Sequence, residues 1–367
     1  MTGAACSEAP ATGRGPWPWW LAIAAGLAQA ASLAWPWGGQ PLWWLQILSL
    51  ALFAHVLLGA GGARRAAGLG WLYATAWLSG TFWWLFISMH SYGGLAAPLA
   101  MLAVLALAAF LGSYYAAASA LFWLAAPASK ALAAIVFAAL WLLAELARGQ
   151  WWTGFPWGAG GYAHVDGPLA VLARSVGVYG MGAVAALLAM GLAQWRGRDL
   201  RSRRCWAALA LLGAAWAGLA AQRHCAIEGC GAPAPLHKPL SLSLLQGNIP
   251  QDEKFQPGSG VPMALQWYHD QLRTADTALV VAPETAIPLL PQQLTPGYLD
   301  AIAERFTQAN GHQALLLGIP LGSLEQGYTN SVLGFTPGES QPYRYDKHHL
   351  VPFGEFIPPF FRWFTEM

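Results

Sequence analysis

Long apolar runs alternate with short polar connections over the first 222 residues. A helix needs roughly 20 apolar residues to cross the hydrocarbon core of a bilayer. Seven runs reach or approach that length, covering residues 17–35, 42–60, 66–88, 95–126, 131–147, 168–194 and 205–221. The pattern predicts a multi-pass α-helical membrane domain of about seven helices in residues 1–222.

The spacing of apolar residues changes after about residue 238. The segments "LSLSLLQGN", "ALVVAPE", "ALLLGIPLG" and "YTNSVLGFT" have the character of strands, whereas "MALQWYHDQLRTAD" and "LDAIAERFTQAN" have helical spacing. In chain order this gives strand, helix, strand, helix, strand, strand. We therefore predict an α/β domain in residues 223–367, with helices that cover a sheet.

The composition supports this division. The chain is 56% hydrophobic and only 10% charged, which is typical of a membrane protein. Residues 1–222 hold 19 of the 21 tryptophans but only 4 of the 17 acidic residues. Tryptophan suits the interfacial belts of a bilayer. The net charge of +2, without a basic aromatic motif, argues against a nucleic-acid partner.

The basic residues are distributed unevenly among the connections. One alternate set carries nearly all of them: Arg14, Arg64, Arg65, Lys130, Arg196, Arg198, Arg201, Arg203 and Arg204. The other set carries almost no basic residues, and in it the charges of Glu145 and Arg148 nearly cancel. By the positive-inside rule the basic set is cytoplasmic, so seven spans place the second domain outside the cytoplasm. One miscounted span would reverse that orientation.

A few ionisable residues fall within or beside the predicted spans. Such residues are functional candidates by default. His90 and His164 lie at span ends, where an interfacial position accounts for them, and Glu145 and Arg174 are also near ends. These few charges give little support to a non-catalytic transporter or scaffold.

Glu284 closes the strand-like run "LVVAPE". Ligand sites in open α/β sheets tend to lie at the carboxyl ends of strands. A carboxylate in that position is a candidate general base. A solvated glutamate in a turn is the alternative.

The segment "YRYDKHHLVPFGEFIP", residues 343–358, gathers polar residues in an otherwise apolar chain. Pro352 and Gly354 lie between Lys347 and Glu355 and favour a loop over a helix. Lys347 could stabilise a developing oxyanion, with Glu355 orienting it or donating a hydrogen bond. A surface ion pair is the alternative.

The histidines and cysteines form no metal-binding pattern. His348 and His349 are adjacent, so on an extended segment they point to opposite faces. The cysteines, Cys6, Cys205, Cys225 and Cys230, have neither zinc spacing nor a CxxC pair. We assign no metal and no cofactor. Cys225 and Cys230 could pair in an oxidising compartment.

Two segments together carry a family resemblance. "APETAIP" at 282–288, followed by "DKHHLVPFGEFIP" at 346–358, resembles the carbon–nitrogen hydrolase (nitrilase) superfamily, and within it the apolipoprotein N-acyltransferase family. Further similar segments are "FWWLFISMHSYGG" at 82–94, "WLLAELARGQWWTGFPWGAGGY" at 141–162 and "QGNIPQDEKF" at 246–255. The resemblance implies a multi-pass domain in the bacterial inner membrane and a periplasmic, nitrilase-like αββα sandwich.

The resemblance also implies residue roles within a Glu-Lys-Cys triad. Glu284 matches the general base, Lys347 the lysine and Glu355 a supporting glutamate, while Phe255 matches an aromatic residue near the substrate path. The implied partners are a phospholipid, a diacylated apolipoprotein and the bilayer. A cysteine thiolate would take the acyl group as a thioester and pass it to the lipoprotein's N-terminal diacylglyceryl-cysteine.

The sequence departs from the family pattern at the nucleophile. The family's cysteine and its final membrane helix are expected downstream of Met367, and no cysteine follows Lys347 here. We interpret the chain as C-terminally incomplete and expect it not to complete the reaction as written. Missing strands would leave sheet edges unpaired and apolar faces uncovered.

An aromatic cluster lies near the end of the sequence. Its members are Phe353, Phe356, Phe360, Phe361, Trp363 and Phe364. Phe353 and Phe356 are candidate substrate-binding residues, because such a patch could dip into the outer leaflet and admit acyl chains. Packing within the absent part of the domain is the alternative. An alternative activity is that of a membrane-tethered amidase acting on small soluble amides.

Overall fold

The computed structural model describes residues 16–196, 213–214, 216–218, 220–221 and 239–351. The chain divides into two compact units, residues 1–232 and residues 233–367. We call them the helical unit and the sheet unit and describe each by itself.

Residues 16–196 of the helical unit contain seven α-helices. Their bounds are α1 Trp17–Leu33, α2 Trp43–Leu58, α3 Ala63–Thr81, the short α4 Trp83–Ile87, α5 Ala97–Ala125, α6 Lys130–Gln150 and α7 Ala173–Ala193. A π-helical turn, Ser88–Tyr92, follows α4, and three 3₁₀ turns lie between α6 and α7. Local signals set several starts: Pro98 lies in the first turn of α5, and the Ser129 hydroxyl caps α6 by accepting from the Leu132 N–H at 3.2 Å.

Within the described residues, three stretches are long and apolar enough to cross a membrane: Ala97–Ala125, Lys130–Gln150 and Pro168–Ala193. The shorter α1 and α2 and the Arg-bearing α3 coincide with three further predicted runs. Much of the run at 205–221 lies outside the described residues. Membrane-competent helices are confirmed, whereas the count of seven spans stays a prediction.

Side-chain contacts show which connections share an end of the helical unit. Trp123 near the end of α5 donates to the Ala60 carbonyl before α3, and Gln194 after α7 donates to the Lys130 carbonyl at the start of α6. At the opposite end, Phe82 after α3 contacts Phe155 after α6, with ring centroids 4.8 Å apart. Arg64, Arg65, Lys130 and Arg196 therefore lie at the first end, as the alternation of charged connections predicts.

Aromatic rings form the centre of the helical unit. Trp77 and Trp141 stack with centroids 5.7 Å apart, and Phe53 stacks on Tyr73 at 4.3 Å. Tyr115 meets Trp77 edge to face at 5.3 Å. All five rings are buried, so they join α2, α3, α5 and α6 in one core.

Polar residues also lie inside this unit, where the sequence interpretation differs from the structure. Glu145 and Arg148 belong to α6 and are fully buried rather than standing in a connection. His164, which we expected at the interface, is also fully buried and bonds through Nε2 to Gln46 Oε1 at 2.6 Å. Apolar periodicity cannot distinguish a buried polar residue that has a hydrogen-bonding partner from an interfacial one.

The sheet unit contains one mixed five-stranded sheet. The strands β1 Leu242–Leu244, β2 Leu279–Val281, β3 Ala314–Ser323, β4 Gly327–Phe335 and β5 Tyr343–Asp346 lie in that spatial order. The pairs β1–β2 and β2–β3 are parallel; β3–β4 and β4–β5 are antiparallel. Helices α8 Gly260–Thr274 and α9 Tyr298–Thr307 follow β1 and β2. The predicted order of strands and helices is confirmed, but β5 was not anticipated.

The two faces of the sheet differ. Alternate residues of the central strands, including Val280, Leu315 and Leu317, form a buried core with Leu272 of α8 and Phe306 of α9. On the other face the register aligns Leu244, Val281, Leu316, Gly334 and Tyr343 in one row. Leu244 and Tyr343 are largely exposed. The helices thus cover one face, while the other presents apolar side chains to the surface.

Candidate active site

Four segments of the sheet unit meet around Glu284. Glu284 lies just beyond the carboxyl end of β2, Asn330 lies in β4, Lys347 follows β5, and Lys254 lies in the turn before α8. The pairing of β3 with β2 and β4, and of β4 with β5, brings residues distant in sequence to this edge. The carboxyl end of a parallel strand therefore carries the cluster, as expected for an open α/β sheet.

Glu284 and Lys347 form an ion pair. Lys347 Nζ donates to Glu284 Oε1 at 3.1 Å, and Asn330 Nδ2 donates to the same oxygen. The main-chain carbonyl oxygen of Asn330 also accepts a hydrogen bond from the main-chain N–H of Lys347 at 2.8 Å. Asn330 thereby fixes both members of the pair, one through its side chain and the other through its backbone.

A close backbone approach sets the position of Glu284. The Ala282 N–H donates to the Leu316 carbonyl at 2.8 Å and the Ile287 N–H to the Gly318 carbonyl at 3.1 Å, so β3 holds both sides of the turn. A Cβ at Gly318 would collide with the Pro283 carbonyl and would lie 2.9 Å from the Glu284 Cα. Only glycine leaves room for this turn. The following residue, Thr285, has a φ of 52°, which is left-handed.

Lys254 brings a second ammonium group to Glu284. Its Nζ lies 3.4 Å from the Glu284 carbonyl oxygen and 5.7 Å from the ring centroid of Phe255. Partial burial lowers the pKa of Lys254, and the Glu284 carboxylate opposes that shift. The turn therefore places a cation and an exposed aromatic ring beside the carboxylate.

Asp346 anchors the strand that carries Lys347. Its Oδ1 accepts hydrogen bonds from Ser331 Oγ at 2.6 Å, Arg344 Nε at 2.9 Å and Thr329 Oγ1 at 3.1 Å. Bonding from Arg344 and then Ser331 lowers the pKa of Asp346 to about 2. The carboxylate stays ionised at neutral pH and holds the end of β5 against β4.

The arrangement suits proton transfer beside a cation. Both side-chain donors, Asn330 and Lys347, bond to Oε1 of Glu284, and among the described residues no hydrogen bond reaches Oε2. The Glu284 side chain is 58% exposed, whereas that of Lys347 is 27% exposed. A carboxylate held through one oxygen can accept a proton on the other, and the nearby ammonium can stabilise negative charge that develops on a substrate.

The predicted site residues fall into two groups. The structure brings Glu284 and Lys347 together and places Phe255 on the neighbouring turn. Glu355, Phe353 and Phe356 lie outside the described residues, as do all four cysteines. The catalytic and binding roles of all these residues stay predictions.

Sequence reasoning missed Lys254, Asn330, Asp346 and Gly318. Lys254 adjoins Phe255 in a quoted motif, and Asn330 is a polar residue within a predicted strand, so both carried a usable signal. Gly318 lies in the middle of the predicted strand "ALLLGIPLG", where a glycine often marks close backbone approach. The side chains that donate hydrogen bonds to the Asp346 carboxylate are set by strand register, which the sequence pattern did not provide.

Comparison with known proteins gives consistent matches. A family model described as the apolipoprotein N-acyltransferase N-terminal domain matches residues 25–191. A protein of Verminephrobacter eiseniae named apolipoprotein N-acyltransferase is 65% identical over 355 residues, covering 95% of this chain and 66% of that protein. A protein of that name from Ralstonia nicotianae is 42% identical, covering 89% of this chain and 60% of its own length.

A putative apolipoprotein N-acyltransferase of Bordetella parapertussis is 40% identical over 385 residues, covering 95% of this chain and 69% of that protein. The chain thus spans about two thirds of the length of the curated relatives that it matches. The matches to the relatives extend well beyond the helical unit into the sheet unit, since they cover about nine tenths or more of the chain.

Replacing Gly318 with Ala is expected to destabilise the sheet unit and displace Glu284, because the new methyl group meets the Pro283 carbonyl. Overpacking of this kind costs about 1–3 kcal/mol. Thermal unfolding of the variant measures the loss. Gly258→Ala is the matched control, since a Cβ at Gly258 meets nothing within 4 Å. Equal melting temperatures for the two variants would contradict the close approach.

Acidification is expected to weaken the attachment of β5 to β4, because the Asp346 carboxylate becomes protonated. Since the pKa of Asp346 is lowered from 3.8 to about 2 on folding, its stabilisation is present above about pH 4 and is lost as the pH falls to about 2. Hydrogen exchange at the Lys347 amide, corrected for intrinsic rate, reports the loosening. Asp346→Asn should show faster corrected exchange without this pH step. Unchanged protection of the wild type from pH 5 to pH 2 would rule out the anchoring role.

Proposed function

Because the chain belongs to the apolipoprotein N-acyltransferase family, we propose that the whole protein transfers a fatty acyl group from a phospholipid to the N-terminal diacylglyceryl-cysteine of lipoproteins. The observation that carries the proposal is the Lys347–Glu284 pair at the carboxyl end of β2. The membrane-competent helices in the described part of the chain support a substrate that comes from the bilayer.

The first half-reaction forms a thioester. Glu284 accepts the proton of a cysteine thiol, and the thiolate sulfur attacks the ester carbonyl of the phospholipid. The Lys347 ammonium stabilises the oxyanion of the tetrahedral intermediate. The C–O bond then breaks, the protonated Glu284 returns its proton to the leaving alkoxide, and a lysophospholipid departs. The cysteine is the one that the family resemblance places downstream of Lys347.

The second half-reaction forms an amide. The free α-amine of the diacylglyceryl-cysteine attacks the thioester carbonyl, and Glu284 accepts a proton from the attacking nitrogen. The C–S bond breaks, and the sulfur regains a proton from Glu284, which restores the starting state. One carboxylate thus serves both steps as base and then acid, which its solvent-accessible position allows.

We also propose the finer features of fold and location. The apolar exposed face of the sheet, with Leu244 and Tyr343, supports packing against a second sheet in a nitrilase-like αββα sandwich. Four basic residues at one end of the helical unit support a cytoplasmic assignment for that end and a periplasmic sheet unit in the inner membrane.

The remaining predicted site residues complete the proposal. Glu355 supports the site as the second glutamate, and Phe255, Phe353 and Phe356 contact the acyl chain. The 57% exposure of Phe255, beside Lys254, is compatible with that contact.

The test is acyl transfer by the whole protein reconstituted in vesicles, measured from a labelled phospholipid to a diacylated lipopeptide. Glu284→Gln should slow transfer by about 10²–10⁴-fold, because it removes the proton acceptor but keeps the side-chain shape. Glu304→Gln, an exposed glutamate of α9, is the control and should match the wild type.

A Glu284→Gln rate within about threefold of the wild type would remove the general base from the account. If the protein instead hydrolysed small soluble amides without lipid and left the lipopeptide untouched, the amidase alternative would replace the acyltransferase.

A further inference from the structure

Two charged residues of α6 are buried inside the helical unit. Glu145 and Arg148 are both 0% exposed, one turn apart on a helix that is apolar enough to cross a membrane. Taking a carboxylate or a guanidinium out of water costs several kcal/mol per ion unless partners compensate. The Glu284 mechanism uses neither residue, so they need a separate explanation.

The loop that follows α6 supplies the compensating partners. Arg148 Nη1 donates to the carbonyls of Phe155 and Trp157, both at 2.7 Å, and Arg148 Nε donates to Tyr115 at 3.2 Å. Glu145 Oε1 accepts the Gly160 N–H at 2.7 Å. Glu145 Oε1 and Arg148 Nη1 are thus both hydrogen-bonded to main-chain groups of the loop, residues 151–165.

Glycines make these contacts possible. A Cβ at Gly160 would lie 2.6 Å from Gln46 Nε2, and a Cβ at Gly182 would lie 2.9 Å from Glu145 Oε2. Gly154 and Gly158 have φ values of 76° and 72°, in the left-handed region that glycine adopts without strain. The glycines of "GFPWGAGGY" therefore allow the loop to fold back against the two buried charges.

A second attachment holds the far part of the loop. Gln46 of α2 donates from Nε2 to the Gly160 carbonyl at 2.6 Å, and its Oε1 bonds to His164 Nε2 at 2.6 Å. All three residues are buried. The loop is thus fixed at both sides by buried polar contacts.

The fixed loop presents aromatic rings outward. Trp152 is 76% exposed, and Trp151, Trp157 and Tyr162 are also exposed. Trp84 of the short helix α4 meets Trp157 edge to face at 5.4 Å. We call these five side chains the aromatic surface. Tryptophan and tyrosine rings favour the boundary between lipid headgroups and acyl chains, where the ring is apolar and its N–H or O–H is hydrated.

The surroundings of the aromatic surface also favour lipid. It lies at the end of the helical unit opposite Arg64, Arg65, Lys130 and Arg196. Among the described residues that directly follow the loop in sequence, the exposed charged ones up to the start of α7 are Asp166 and Arg174, one of each sign. An ordinary interfacial belt uses rings on regular helices. Here four of the five rings lie on an irregular loop that bonds to two buried charged side chains, which favours a surface of defined shape.

We propose that the aromatic surface binds a phospholipid at the glycerol and upper acyl-chain level, and that Glu145 and Arg148 are positioning residues for it. The inference rests on the helical unit alone and requires no acyl transfer, so it can fail or succeed independently of the proposed activity.

The experiment uses the full chain in vesicles of phosphatidylethanolamine and phosphatidylglycerol that contain a phospholipid with a diazirine near the glycerol end of one acyl chain. After illumination, mass spectrometry compares lipid labelling of residues 151–162 with that of residues 17–20. Trp17 and Trp20 are exposed rings on a regular helix at the opposite end and report bulk lipid. Labelling of residues 151–162 should exceed that of residues 17–20 severalfold.

Two variants distinguish the role of the aromatic surface from that of the buried residues that position it. Trp151→Ala combined with Trp152→Ala should reduce labelling to the bulk level without changing amide exchange at residues 155–161. Arg148→Gln should reduce labelling and also raise that exchange about tenfold or more, because a charge-assisted hydrogen bond is lost. Trp17→Ala combined with Trp20→Ala is the matched control and should leave labelling of 151–162 unchanged.

Equal labelling of the two wild-type segments would overturn the proposal, since the loop would then meet only bulk lipid. Faster exchange with undiminished labelling in Arg148→Gln would overturn the positioning role. If the Arg148→Gln variant does not insert into the membrane, the double tryptophan variant alone decides. Unchanged labelling in that variant would overturn the proposal that the aromatic surface binds phospholipid.

Discussion

The ion pair between Lys347 and Glu284 depends on backbone geometry that is set elsewhere in the sheet unit. Gly318 admits the turn that carries Glu284, Asn330 binds both partners, and Asp346 fixes the end of β5 beside Lys347. Because the two charged side chains are partly exposed, their attraction alone would be weak and screened by salt. The surrounding hydrogen bonds are what give the pair a defined position, and any proton transfer at this edge of the sheet requires that position.

The helical unit obeys a different constraint. Inside it, water does not compete for hydrogen bonds, so each buried charge needs a fixed partner. Glu145 and Arg148 find theirs in the backbone of the following loop, and the loop in return gains a fixed shape despite its left-handed residues. The same principle explains why His164 bonds to Gln46 in the interior instead of lying at the interface.

The sequence predicted the features that depend on local pattern. Apolar run length indicated the helices, and the order of strands and helices after residue 238 followed from their different periods. Glu284 could be singled out because it closes a strand, and Lys347 because it lies in a polar segment. Their association came from the family resemblance, since 63 residues separate them and no local pattern links such positions.

Features that depend on tertiary contacts were missed. Tyr343 and Tyr345 alternate with Arg344 and Asp346, but Pro352 and Gly354 led us to expect a loop, so β5 was overlooked. The sequence pattern does not distinguish Asn330 from other strand residues. Only the register of β4 places it beside Glu284 and Lys347. From their charges alone, Glu145 and Arg148 were assigned to a connection of nearly zero net charge, because counting charges does not show which residues face the interior.

The central claim is that Glu284 and Lys347 act as one unit, and a double-mutant cycle on thioester formation in the whole protein tests it most directly. Acylation by a labelled phospholipid would be timed for Glu284→Gln, Lys347→Met and the combination. If the two act together, the double variant should be about as slow as the slower single variant. Rate losses that multiply in the double variant would show independent residues and contradict the account.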